Sequence, residues 1–149
     1  MQKNYNHNQI TQVADEIQKN FPTIKVFLLI GELGTGKTTF TKAYAKLLGS
    51  TDNIQSPTFI LERIYTTNQN EKIHHLDLYR IESTAELQEL QLHQLITSDN
   101  YIFIEWADKF IDYLSEILHA NDYVILNFDY GTNENERVVT ITEHKGVNK

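Results

Sequence analysis

The chain has 149 residues, of which 40% are apolar and 22% charged, with a net charge of −7 and no cysteine. That length makes one domain with a core of its own, and the missing cysteine excludes disulfide scaffolds, thiolate metal sites and cysteine nucleophiles. The longest purely aliphatic and aromatic run is 26–30, far short of the ~20 residues of a helical membrane span, and no basic-then-apolar leader opens the sequence, so the expected compartment is the cytoplasm.

Ile10, Val13, Ala14, Ile17 and Phe21 recur at helical spacing and predict an amphipathic helix, with Asn8 as its cap and Pro22 closing it. Residues 25–30 form a short apolar run before a glycine-rich turn, which reads as a buried strand. A second helix is expected over 37–48, with Phe40, Ala43, Tyr44, Leu47 and Leu48 inward and Gly49 as its stop. The polar stretch 50–57 reads as a loop. Strands follow at 59–66 and 72–78, joined by a turn at 67–70 into a hairpin. Ser83 and Glu86 have capping-box spacing ahead of a helix carrying Leu87, Leu90 and Ile96. A strand at 101–104, a helix at 107–118 and strands at 123–128 and 138–142 around a turn at 131–136 complete the chain. Alternating helices and strands predict an α/β fold, and the hairpins make its sheet mixed: one domain over 1–149, mostly parallel strands flanked by helices.

Gly31-Glu32-Leu33-Gly34-Thr35-Gly36-Lys37-Thr38 matches G-x-x-x-x-G-K-[ST] at every fixed position, with a strand before it and a helix after it. Gly34 and Gly36 let the backbone turn its N–H groups around phosphate oxygens, and the helix N-terminus adds partial positive charge. Lys37 is long enough to reach the β and γ phosphates. Thr38 offers a hydroxyl to Mg²⁺, which prefers oxygen ligands. Binding of a nucleoside triphosphate is the function this motif predicts.

Such a site also needs an acidic group at the end of a neighbouring apolar strand. Glu105 stands directly after the 101–104 run; the bland alternative is an exposed strand-end carboxylate. Asp77 is a second candidate, for the metal's water shell or the attacking water, against a structural hydrogen-bonded role. Strand alternation puts Ile73, His75 and Asp77 on one face and His74, Leu76 and Leu78 on the other, so His74 and His75 do not share one ion. Thr58 is a candidate γ-phosphate sensor or a strand-start hydrogen bonder. Arg80 either faces phosphoryl charge or pairs with Glu82, and spacing favours the pair. Trp106 is either core packing or part of the site or an interface.

The guanine-recognition string N-K-x-D and the D-x-x-G switch string are absent. Three arginines, Arg63, Arg80 and Arg137, are too few for the arginine lid of a small-molecule kinase. A compact ATPase remains, with two alternatives: a nucleotide-gated binding module without hydrolysis, or a kinase.

GELGTGKTTF at 31–40, SPTF at 56–59, HLDLYR at 75–80 and EW at 105–106 follow one another at short spacings. Together they resemble the TsaE family, also called YjeE, small bacterial P-loop ATPases of tRNA threonylcarbamoyladenosine biosynthesis, and the likeness runs from the 10–21 helix to Arg137. The resemblance implies ATP and Mg²⁺ as cofactors, with Gly31 through Thr39 around the phosphates and Lys37, Asp77 and Glu105 as the catalytic set. Thr38 and Glu105 would be the magnesium pair, Thr58 and Asp77 parts of switch-like regions, and Trp106 a neighbour of the catalytic centre. His75 and Arg80 fall in the same HLDLYR block as Asp77, and Thr11 is the implied adenine-side residue. The family works with TsaD and TsaB, and its hydrolysis resets the complex between cycles. Thr35 and Glu32 stand where the family often has Ala and Asp, at variable positions of the motif.

Residues 1–80 carry 9 basic and 7 acidic groups, whereas 81–149 carry 4 and 13. An acidic half repels polyphosphate, so no tight direct grip on nucleic acid is expected. It is either a solvated face or a docking surface for a protein partner.

Overall fold

Near-continuous apolar runs such as Val26–Ile30 are what a strand buried on both faces requires. In the computed structural model, which describes residues 1–96 and 99–147, three such runs, at 26–30, 101–104 and 123–126, and the more polar but buried 72–77 segment form the parallel centre of a seven-stranded mixed sheet. The strands are β1 (Gln2–Asn6), β2 (Val26–Ile30), β3 (Glu62–Thr66), β4 (Lys72–Asp77), β5 (Tyr101–Glu105), β6 (Tyr123–Tyr130) and β7 (Glu136–His144). Their spatial order is β1-β7-β6-β2-β5-β4-β3. β6, β2, β5 and β4 run parallel, while β3, β7 and β1 each pair antiparallel with their neighbours.

Helices α1 (Ile10–Asn20) and α2 (Lys37–Leu47) cover one face. α3 (Thr84–Glu89), α4 (Leu92–Ile96) and α5 (Ile111–Ile117) cover the other. The first core is aromatic: Phe27 stacks on Phe103 at 4.8 Å and 9°, and Phe40 and Tyr44 of α2 close over both. Rings buried this completely anchor the start of α2, and with it the glycine-rich loop, against the sheet. The second core is aliphatic, with Leu28, Leu76, Ile102 and Ile104 facing Leu87, Leu92 and Leu114. Ile73, His75 and Asp77 do face away from His74, Leu76 and Leu78: Ile73 packs in the first core and Leu76 and Leu78 in the second.

Several boundaries differ from the sequence reading. The strand expected over 59–66 begins only at Glu62, because Ile60 and Leu61 both donate their amides back to the Pro57 carbonyl and Leu61 sits at φ 73°. The helix after Ser83 is two helices, broken at Gln91 with φ 53°, although Ser83 caps the first by accepting the Glu86 amide at 3.2 Å. The 107–118 helix opens with a 3-10 turn, Ala107–Phe110. Asn8 is not a cap; it lies inside a 3-10 turn, His7–Gln9, where the Gln9 side chain accepts the Asn6 amide at 2.9 Å. β1 was not expected at all, since its polar sequence QKNYN carries one inward side chain, Tyr5. Among the described residues no helix is long and apolar enough to cross a membrane.

Candidate active site

The carboxyl ends of parallel strands are where α/β sheets build sites. Here β2 runs into the glycine-rich loop and α2, and the neighbouring ends of β5 and β4 bring Glu105 and Asp77 side by side in register. Two glycines make the loop possible. A Cβ on Gly31 (φ 152°) would stand 2.5 Å from Thr35 Oγ1 and 2.6 Å from the Phe128 carbonyl, and Gly36 holds φ 116° as the residue before α2.

Lys37 is only 5% exposed. Its ammonium donates to the carbonyls of Gly31 and Glu32 and lies 4.3 Å from the centre of the Trp106 ring. Burial lowers its pKa, opposed by the charges of Glu105, Asp77 and Asp108. Thr38 donates its hydroxyl to Glu105 Oε2 at 2.7 Å, and the same oxygen lies 2.5 Å from His75 Nε2. Thr58 donates to Asp77 Oδ2 at 2.7 Å, while Asp77 Oδ1 accepts the Tyr79 amide at 2.8 Å. Leu33, Gly34, Gly36, Lys37, Thr38, Thr39, Ser56, Thr58, Asp77, Glu105 and Trp106 line one shared cleft.

Thr38, Glu105 and Asp77 offer hydroxyl and carboxylate oxygens only, which is the donor chemistry that suits Mg²⁺ with a partly retained water shell. The opposite charge in the cleft is Lys37. The cleft thus sets an ammonium on its loop side against hydroxyl and carboxylate oxygens on its strand side.

Glu105 is buried rather than an exposed strand-end carboxylate. Trp106 adopts a left-handed backbone (φ 59°, ψ 35°) that tryptophan rarely takes, and its ring meets Tyr79 at 4.9 Å as well as Lys37. Arg80 does not sit against Glu82: its guanidinium lies 4.7 Å over the ring of Phe59. Together with Leu33, Ser56, Thr58, Tyr79 and Trp106 these two line an apolar cavity of about 350 Å³ that opens beside the cleft. Leu33 and Phe59 are 80% and 82% exposed there. His74 points away from the cleft and pairs with Glu62 at 2.9 Å.

On its far side the loop borders a second cavity of about 170 Å³, lined by Tyr5, His7, Ile10, Gly34, Thr35, Gly36, Thr39 and Arg137. Thr11, the implied adenine-side residue, is exposed on α1 next to Ile10 and is not part of this lining. Tyr5, His7 and Arg137 were not singled out from sequence, and no local motif marks them; pairing of β1 with β7 brings Tyr5 opposite Arg137. The β6–β7 hairpin also grips the loop: Tyr130 donates to the Leu33 carbonyl at 2.5 Å, and Arg137 reaches the Gly34 carbonyl at 3.5 Å.

A family model described as "Threonylcarbamoyl adenosine biosynthesis protein TsaE" matches residues 4–139. The chain belongs to the TsaE family. Relatives named tRNA threonylcarbamoyladenosine biosynthesis protein TsaE include one from Rickettsia typhi, 42% identical over 91 residues, which are 60% of this chain and 62% of the relative. One from Haemophilus influenzae is 33% identical over 102 residues, 68% of this chain and 61% of the relative. The chain thus matches about three fifths of the length of these TsaE proteins. The crystal structure of Bacillus subtilis YdiB superposes with a TM-score of 0.65 over 98% of this chain and 87% of YdiB, at 23% identity, and shows the same fold. The TsaE match runs from within β1 into β7, so it takes in the loop, both carboxylates and the strand that carries Tyr5.

Proposed function

We propose that this TsaE-family chain binds and hydrolyses ATP with Mg²⁺ in tRNA threonylcarbamoyladenosine biosynthesis, working with TsaD- and TsaB-like proteins whose cycle its hydrolysis resets. The observation that carries the reading is the meeting of the Thr38 hydroxyl and the Glu105 carboxylate at 2.7 Å, at the mouth of a loop that holds a buried lysine. Thr38 and Glu105 would hold the metal directly or through its waters. When bound, Mg²⁺ supplies positive charge that screens the phosphate oxygens.

The remaining work falls to residues of the chain. Lys37 exchanges its two backbone carbonyl partners for phosphate oxygens, a substitution favoured because an ammonium bonds an anion more strongly than a neutral acceptor. Backbone amides of 34–39 and the start of α2 face the phosphates. Thr58, seated by Asp77, stands where the terminal phosphate would end, and Asp77 faces the water that attacks it. The cavity at Tyr5, His7, Ile10 and Arg137 is the natural place for ribose and base, since it continues the loop away from Glu105. Exposed Leu33, Phe59 and Tyr79 at the cleft support docking of a protein partner there, and the acidic second half of the sequence supports leaving the tRNA to that partner.

A second reading, a nucleotide-gated module without hydrolysis, draws on Asp77: both its oxygens are already engaged by Thr58 and the Tyr79 amide. One experiment separates the two. ATP turnover is measured for the chain alone and mixed with TsaD and TsaB, beside threonylcarbamoyladenosine levels in cells lacking the endogenous protein. Slow turnover alone, acceleration in the mixture and restored modification support the hydrolytic reading. Restored modification by a variant that binds ATP without turning it over favours gating.

A further inference from the structure

Behind the cleft a line of buried polar groups runs from Glu105 to the backbone of the 51–58 loop. Glu105, His75 and Tyr65 are all buried, so each polar atom needs a partner. Glu105 Oε2 lies 2.5 Å from His75 Nε2, and His75 Nδ1 lies 3.4 Å from Tyr65 Oη. Tyr65 Oη donates to the Gln55 carbonyl at 2.9 Å and accepts the Gln55 amide at 3.2 Å.

Counting hydrogens fixes the direction of this line. The phenol has one hydrogen, and the Gln55 carbonyl takes it. Toward His75 the phenol oxygen can then only accept, and the Glu105 carboxylate, which already accepts the Thr38 hydroxyl, can only accept as well, so the ring is the donor on both sides, Nδ1 toward Tyr65 and Nε2 toward Glu105. In register, Asp77 is the residue opposite Glu105, and His75 lies two positions back along β4. The Glu105 side chain must lean along the strand to meet His75, and it meets Thr38 with the same oxygen. The extra methylene of Glu over Asp is what allows both contacts.

The loop is therefore tied to the site twice. Thr58 holds Asp77, and the backbone of Gln55 holds Tyr65. We propose that Tyr65, acting through His75, is a positioning residue that makes the orientation of Glu105 depend on where the 55–58 segment lies. If Thr58 moves toward an arriving phosphate and Gln55 moves with it, the phenol loses the partner that fixes its hydrogen. The imidazole is then free to turn, and Glu105 loses the contact that holds it on Thr38. Glu105 is set for the metal in one loop position and released in the other. This inference rests on the nucleotide reading above.

The test is Tyr65→Phe, which keeps the ring and removes only the hydroxyl. Expected are a fall of ~10-fold in kcat with KM for ATP within twofold, because bonds that orient a group at the reacting centre act on the chemical step. Magnesium affinity, titrated into the complex with a non-hydrolysable ATP analogue, should weaken several-fold while Tm moves little. A lowered Tm with kcat and KM worsened in parallel overturns the proposal in favour of plain packing, as does unchanged kcat with unchanged magnesium affinity. A second measurement needs neither variant nor turnover: the Gln55 amide and the His75 ring nitrogens are followed by NMR as the magnesium–analogue complex is added. The two signals should shift together with one midpoint. A Gln55 shift with a silent His75 ring overturns the coupling. Coupled shifts in a protein whose separately measured turnover is nil retain the coupling and overturn the hydrolytic reading instead; silence of both signals with the analogue bound overturns the coupling.

Discussion

The two ends of the groove along the glycine-rich loop are built on different principles. At the Glu105 end the buried polar side chains bond one another: Thr38 with Glu105, Glu105 with His75, Thr58 with Asp77. At the Tyr5 end sits the one buried side-chain polar atom among the described residues that has no hydrogen-bond partner, Tyr5 Oη. The first end comes from consecutive strand ends of the parallel sheet. The second comes from an antiparallel edge, where β1 pairs with β7. Groups that bond one another in advance hold their geometry before a ligand arrives. An unpartnered buried hydroxyl is costly and asks for an explanation outside the chain. On the proposed function, chemistry belongs to the first end and recognition to the second.

Lys37→Ala should break both ends at once. With the one buried ammonium among the described residues gone, nucleotide affinity should fall by about 100-fold, the scale of losing charge-assisted bonds, read by fluorescent-nucleotide titration. The lysine also gives a pH signature. Its folded pKa is lowered, chiefly by burial, so between that value and the unfolded value of ~10.4 the unfolded chain binds more protons. Rising pH through this window should stabilise the ligand-free protein relative to a Lys37→Met variant, while nucleotide affinity falls as the ammonium is lost. Affinity that does not fall as pH rises through this window would remove Lys37 from phosphate binding.

Glu105→Gln should divide the ends. The amide keeps the size and can still meet Thr38 and His75, but it lacks the charge for a hard cation. Turnover should drop by about 100-fold with ATP affinity changed by no more than a few-fold, read by comparing single-turnover hydrolysis with equilibrium binding. Equal losses in both would mean that the Glu105 end also does the recognising.

The sequence made the Glu105 end legible because its parts obey short-range rules. The loop motif is contiguous, strand alternation puts His75 with Asp77, and a carboxylate after an apolar strand lands at the strand's carboxyl end. Glu105 stood out on that ground and lines the cleft; Trp106, left open between core packing and the site, lines it too. Arg80 misled because sequence proximity to Glu82 says nothing of an aromatic ring twenty-one residues upstream, and Phe59 is where its guanidinium lies. The Tyr5 end stayed hidden for a related reason. β1 is polar, five residues long and has no alternation, so nothing local marks it as a strand; its partner is 130 or more residues away. Tyr65 was hidden too, as one aromatic residue in a hairpin strand whose hydroxyl matters only once β3 has paired with β4.

Tyr5→Phe has the smallest expected effect and cuts most directly into the comparison. Tyr5 is 6% exposed, and burial pushes its phenol up to about 12 against the lowering influence of Arg137, so the group is a neutral hydroxyl at any physiological pH. Gly36 lies beneath it: a Cβ there would stand 3.7 Å from the hydroxyl. In the ligand-free protein that hydroxyl has been taken from water without compensation, a penalty of roughly 1–3 kcal/mol in general. Its removal should therefore raise stability, by a few degrees in Tm for a domain of this size. If the hydroxyl bonds a nucleotide oxygen or ring nitrogen, affinity should fall at the same time, by about three- to tenfold. Stability and affinity then move in opposite directions, which no packing role produces. A more stable variant with unchanged nucleotide affinity would mean that the nucleotide does not reach Tyr5, and the groove would have one working end.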